Sequence, residues 1–218
     1  MMSKYEITNL GLLHYFLGLE VKQGEGEVFV SQKKYSLDLP KRFGLVNCKS
    51  TATPMNMNKK LQQEDGTGKA NARSFRRLVG GLIYLAHIRP YISYSVCVVS
   101  RFMSNPSKHH FGAAKKNFTL LCWNVRYGIL ASYVSNFRLL GFTDSDWGGS
   151  VDDRKSTSGN IFSPGPGTIT WSSKKQVTTT LSSSKAEDIE ITTSSCQFCP
   201  AKAAGLLLSE RSPVEGED

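Results

Sequence analysis

No apolar run in this 218-residue chain approaches the roughly 20 residues that a membrane helix needs. The segment Met1-Met2-Ser3-Lys4-Tyr5-Glu6 carries no hydrophobic core of a signal peptide, so an intracellular setting is the expectation. Five cysteines at 48, 97, 122, 196 and 199 are too few, scattered and odd in number for a disulfide framework, and suit a reducing compartment. The pair Cys196-Gln197-Phe198-Cys199 lacks the second pair that a structural zinc site requires. No phosphate-cradling glycine loop, serine-nucleophile motif or tandem aromatic RNA-binding motif is present, and there are no internal repeats. These absences exclude most catalytic classes, and no small-molecule substrate site is evident.

What the chain has is an uneven charge. Of its 27 Lys and Arg and 18 Asp and Glu, residues 1–136 hold 19 basic against 7 acidic, and residues 137–218 hold 8 against 11. A basic segment joined to a mildly acidic one suits a part that grips a polyanion beside a part that holds cations, although a solvated lysine-rich surface gives the same count.

Period-2 alternation of Tyr15, Leu17, Leu19 and Val21, a Gly24–Gly26 turn and Val28-Phe29-Val30 predict a hairpin over residues 12–31. A short helix follows over 33–43, with Pro40 inside it and Gly44 closing it. Residues 46–72 read as a long polar loop. Phe75, Leu78, Val79, Leu82, Ile83 and Ala86 then recur at helical spacing, with Gly80-Gly81 permitting close packing. Pro90 and Pro106 separate two further helices, over 91–103 and 107–121, the last with a basic exposed side that includes His109 and His110. Residues 138–143, 157–162 and 168–173 are strand candidates divided by turn sequences, and 181–187 opens a helix. An antiparallel meander is the simplest geometry. The pattern dissolves beyond Cys199-Pro200, leaving a divergent tail over 200–218.

The chemistry is concentrated in Thr143-Asp144-Ser145-Asp146 and Ser184-Lys185-Ala186-Glu187. A carboxylate ending a strand and another starting a helix can together hold Mg²⁺, which prefers hard oxygen ligands. Paired metals about 3.5–4 Å apart activate a water against a phosphodiester. Each residue also has a structural explanation: Asp is a common turn residue, and Ser184 to Glu187 matches a capping box. Local sequence leaves both open. His109-His110 has no accompanying carboxylate or cysteine pattern, so exposed or phosphate-facing histidines are expected.

Taken in order, these runs resemble the Pol polyproteins of copia-type retrotransposons. Leu10 to Glu20, Thr53-Pro54-Met55, Leu78 to Leu85, Arg89-Pro90, Ser100 to Met103, Gly141 to Gly149, Asp153 to Gly159, Ile169 to Lys175 and Leu181 to Glu187 carry the likeness, over about residues 9–197. The resemblance implies an α+β fold. Residues 1–136 would be the C-terminal part of a reverse transcriptase, with a primer-gripping hairpin and thumb-like helices. Residues 137–199 would be a truncated ribonuclease H-like domain of three antiparallel strands and one helix. Asp144 and Glu187 match that family's first two metal-binding, catalytic carboxylates, with Asp146 the fallback for Asp144, and Mg²⁺ would be the cofactor. An RNA–DNA hybrid or a primer–template duplex would be the partner.

The chain departs from the family in several places. It holds no Tyr-x-Asp-Asp polymerase motif, and after Gln197 it lacks the two further ribonuclease H carboxylates; Glu210, Glu215, Glu217 and Asp218 are poor substitutes. Tyr91 stands where the family has aspartate after Arg-Pro, and Lys185 where it often has glutamate. The expectation is a chain with little or no catalytic activity, either a non-catalytic nucleic-acid-binding remnant or a relic with no selected role.

Overall fold

A computed structural model describes residues 12–45, 49, 51–56, 60–121, 124–132, 138–165 and 167–209, with the side chains of the last helix described to Phe198. The fold is mixed α/β, with two antiparallel sheets and five α-helices among those residues. None of these helices is long and apolar enough to cross a membrane.

The first sheet starts from the expected hairpin and differs from it in two ways. What reads as one long strand is two, β1 (Tyr15–Phe16) and β2 (Leu19–Gly24), with Tyr15 opposite Glu20. The two-residue loop between them holds Leu17 at φ 49° and Gly18 at φ 85°. Positive φ at both central positions is the turn whose twist matches paired strands. Alternation through residue 17 therefore breaks, and Leu17 stands exposed, with the Tyr84 hydroxyl donating to its carbonyl at 2.6 Å. β3 (Glu27–Ser31) pairs with β2 as predicted. The sheet then gains β4 (Gly128–Ser132) from a hundred residues downstream, for an order β1-β2-β3-β4.

The helices form the larger core. α1 (Lys33–Lys41) places Pro40 in its last turn, where little of the helix remains to be broken. α2 (Ala72–Ala86) is capped by the Asn71 side chain, which accepts from the Ser74 amide at 2.9 Å. A short 3-10 turn (Pro90–Ile92) leads into α3 (Ser93–Ser100), shorter than the predicted helix, and α4 (Lys108–Leu121) follows. Phe75, Leu78, Val79, Leu82, Leu85, Ile92, Val96, Val99, Phe102 and Phe118 are buried together. A Cβ on Gly81 would strike the Leu39 side chain, so the glycine lets α1 and α2 approach; at Gly80 it would meet nothing.

The second sheet is the predicted meander, β5 (Leu140–Ser145), β6 (Thr157–Ser163) and β7 (Thr170–Lys175), in that order and antiparallel. α5 (Ser183–Ser209) packs on β5 and β6, and it runs through Pro200, beyond the point where the sequence pattern dissolves. Residues 210–218 lie outside the described residues. The Trp171 indole donates to the Ala86 carbonyl (3.0 Å), Arg101 donates to the Thr157 hydroxyl (2.8 Å) and the Gln63 amide donates to Asp152 (3.0 Å). These bonds tie the meander to the helical region.

Candidate functional site

Asp144 and Asp146, two residues apart, turn out to have different jobs. Asp146 is the turn residue. Its amide donates to the Thr157 carbonyl at 3.1 Å, and its Oδ1 accepts the Thr157 amide at 2.6 Å, closing the loop between β5 and β6. Asp144 lies within β5, opposite Gly159, exposed, and its carboxylate has no hydrogen bond or ion pair among the described residues.

The cap explanation for Glu187 also gives way. α5 begins at Ser183, and its cap is Ser182, whose Oγ accepts the Lys185 amide at 3.3 Å while its carbonyl accepts the Ala186 amide at 3.2 Å. The third residue of that cap is Lys185, so Glu187 has no capping role. It sits one position round the helix from fully buried Ala186, exposed and without a partner among the described residues.

Asp144 and Glu187 stand at the same end of the sheet–helix unit, the C-terminal end of β5 and the first turns of α5. They are not in contact. Strand alternation puts Gly141, Thr143 and Ser145 on the face that carries α5, together with their partners Phe162, Asn160 and Ser158, so Asp144 leans to the opposite face. Other acids near this end are engaged: Asp152 accepts from Gln63, and Asp153 pairs with Lys175 at 2.7 Å. Partial burial works to raise the Asp153 pKa, but the Lys175 ammonium and the Ser150 hydroxyl outweigh it and hold the carboxyl at about 2.

Asp144 and Glu187 thus offer two free carboxylates, the donor type that a hard cation takes. In number they fall short, since no group of three or more His, Cys, Asp or Glu among the described residues is arranged to hold a metal.

The buried contacts of this unit went unread in the sequence. The Asn160 amide nitrogen, on a residue 7% exposed, lies 3.1 Å from Glu190, 3.2 Å from Ser194 and 3.1 Å from Gln197, so its two N–H groups are shared among three acceptors and fasten β6 to successive turns of α5. Gln176 reaches β5, β6 and α5 at once, with Nε2 3.2 Å from Ser145 Oγ, 2.9 Å from Ser158 Oγ and 2.8 Å from the Ala186 carbonyl.

The histidines correct another expectation. His110 is fully buried, stacked on Phe102 with centroids 3.8 Å apart, and Asp65 approaches both His109 and His110. The Ser107 amide donates to His110 Nδ1 at 3.0 Å, and the His110 amide donates to Ser107 Oγ at 3.1 Å. This is a reciprocal helix cap with histidine in the place of the usual glutamate. Nδ1 accepts, so Nε2 carries the proton and donates to the Gln62 carbonyl at 2.9 Å.

The chain is 37% identical over 185 residues to the retrovirus-related Pol polyprotein from transposon RE1 of Arabidopsis thaliana, covering 85% of this chain and 13% of that protein. It is 39% identical over 175 residues to the corresponding polyprotein from transposon RE2 of the same plant, covering 80% and 12%. An uncharacterized mitochondrial protein of Arabidopsis thaliana is 34% identical over 186 residues, 85% of this chain and 77% of its own length. No family model and no solved structure matches. The chain spans about an eighth of the length of the RE1 and RE2 polyproteins, and by these likenesses it belongs to the retrotransposon Pol polyprotein family.

Proposed function

We propose that residues 1–136 derive from the end of a reverse transcriptase, that residues 137–199 are the first half of a ribonuclease H-like domain, and that the chain binds nucleic-acid duplex without cutting it. The observation that carries this is the pair Asp144 and Glu187: freed from turn and cap duties, placed at one end of a meander-plus-helix unit, and lacking a third ligand among the described residues. When bound, Mg²⁺ supplies a polarised water and charge neutralisation for phosphodiester hydrolysis. Asp144 leans away from the face that carries α5 and Glu187, so the two carboxylates do not converge on one ion and would not fix both the attacking and the leaving oxygen. Cleavage should therefore be negligible.

Binding rests on the basic half. Arg73, Arg76 and Arg77 on α2, with Lys33, Lys34 and Lys41 on α1, are exposed. Of these six, only Lys41 has a carboxylate partner among the described residues, Asp38 at 3.1 Å. Phosphate contacts release counterions, so affinity for an RNA–DNA hybrid should fall steeply and linearly in a log–log plot against salt. Fluorescence anisotropy with a labelled hybrid tests this. Absence of binding at low salt would remove the proposal and leave the chain a relic with no selected role.

A further inference from the structure

We propose that the outer edge of β5 is a self-association surface, on which a second copy of this chain pairs its own β5 antiparallel about a two-fold axis at Gly141. Among the described residues β5 is hydrogen-bonded on one side only, to β6. The Asp146 amide donates to the Thr157 carbonyl, one step past the last register pair of β5 and β6, Ser145 with Ser158. Backbone groups in an antiparallel ladder alternate in direction. Phe142 and Asp144 therefore turn their amides and carbonyls toward β6, and Gly141 and Thr143 turn theirs outward. A row of outward backbone groups on a strand edge is a template for another strand.

The side chains select the strand that fits. Alternation sets Arg138, Leu140, Phe142 and Asp144 on the face opposite α5. Leu140 is 41% and Phe142 61% exposed, and Arg138 and Asp144, both exposed, have no partner among the described residues. This run is complementary to itself. With Gly141 opposite Gly141 of the second copy, Arg138 faces Asp144, Leu140 faces Phe142, and the two-fold axis repeats both pairs. The outward backbone groups of residues 139, 141 and 143 meet in that same register, 139 opposite 143. The side-chain pairs then occupy the non-hydrogen-bonded positions, where cross-strand side chains lie closest. A shift of two residues either way sets a charge against an apolar residue, Leu140 against Asp144 or Arg138 against Phe142. The contact is isologous, so it closes as a dimer. Residues 137–218 hold 8 basic and 11 acidic side chains, so this part of the chain adds little repulsion between copies.

One strand pair is small against the roughly 1,200–2,000 Å² of a stable complex, so association should be reversible and concentration-dependent. Sedimentation velocity of the full chain should show monomer at low micromolar concentration and a shift to dimer toward the millimolar range. The Gly141 and Thr143 amides should gain exchange protection over the same range. Arg138→Asp and Asp144→Arg each set like charges opposite one another twice per dimer, and each should raise the dimer Kd at least about tenfold. Mixing the two variants restores opposite charges at both pairs of the heterodimer and should restore association, which also requires both variants to be folded. A parent that stays monomeric throughout would overturn the proposal. So would single variants that associate as the parent does, which would place the contact elsewhere, or a mixture that associates no better than its components. The readout contains no nucleic acid, so the duplex-binding reading stands or falls separately.

Discussion

Gln32→Leu should destabilise the chain by about 3 kcal/mol. Gln32 lies between β3 and α1, fully buried, and bonds in both directions: its Nε2 donates to the Tyr84 carbonyl at 2.9 Å, and its Oε1 accepts from Arg89 at 3.1 Å. Arg89 is equally buried and has no carboxylate within ion-pair distance among the described residues. The Val125 carbonyl at 3.4 Å and the neighbouring Tyr91 phenol are its other contacts, and its Nε is unpartnered among the described residues. Burial works against the charge and lowers the Arg89 pKa. The neutral bond contributes about 1 kcal/mol and the charge-assisted one about 1.5–3 kcal/mol, and leucine returns little because the site is already dry. For a chain of this size the loss corresponds to about 6–12 °C in Tm.

Urea unfolding followed by helical circular dichroism measures the loss, and a second variant gives the result its meaning. Once Gln32 is leucine, Arg89 is a buried cation with no carboxylate and only the Val125 carbonyl and the Tyr91 phenol beside it, so adding Arg89→Met should recover part of the stability. A Gln32→Leu chain within about 1 kcal/mol of the parent would refute the reasoning, because an orphaned buried charge costs more than that. So would a double variant weaker than the single one. Tyr91, where the resemblance expects aspartate, lies against Arg89, but burial raises its pKa and keeps the phenol neutral, so it supplies no counter-charge.

Two further outcomes follow from buried polar groups. His110 is held below its ordinary value of 6.5 chiefly by burial, against the opposing pull of the Gln62 carbonyl and Asp65. Gln62, Asp65, His109 and Asp152 are the groups that face it. The neutral ring caps α4, so its stabilisation is complete above pH 6.5 and is lost as the pH falls below it, a slope in urea midpoint that His110→Asn should flatten. Burial raises the Asp65 pKa, but the Ser107 and Thr67 donors outweigh it and hold the carboxyl below its usual 3.8, so its own loss begins only below that pH and is separate from the loss at His110. Equal slopes in parent and variant would contradict the cap. Asn160→Ala should cost about 2–4 kcal/mol by leaving the Glu190 carboxylate, 4% exposed, with Ser194 alone, and should speed amide exchange along α5. Unchanged exchange would contradict that network.

The sequence made periodic surfaces legible and left single contacts hidden. The helical spacing from Phe75 to Ala86 and the three strands of the meander follow from burial on one face, which repeats. β4 was missed because its five residues carry no clean alternation and its partner β3 lies about a hundred residues upstream. The turn at Leu17-Gly18 was hidden because leucine rarely adopts positive φ, and only Gly18 marked it. Three serines in a row made the cap position of α5 ambiguous by two residues, and that ambiguity alone kept Glu187 between cap and ligand. Asp144 was separable from Asp146 only once Thr157 was seen to claim the latter. Gln176 gave no signal, since a lone glutamine after a strand belongs to no pattern.

The central claim is that Asp144 and Glu187 are two carboxylates of a ribonuclease H-like site too incomplete to cut. The most direct measurement is incubation of the 218-residue chain with a labelled RNA–DNA hybrid in Mg²⁺, alongside its Asp144→Asn variant. The account predicts no cleavage above buffer in either sample. Mg²⁺-dependent cutting of the RNA strand that disappears in Asp144→Asn would contradict it.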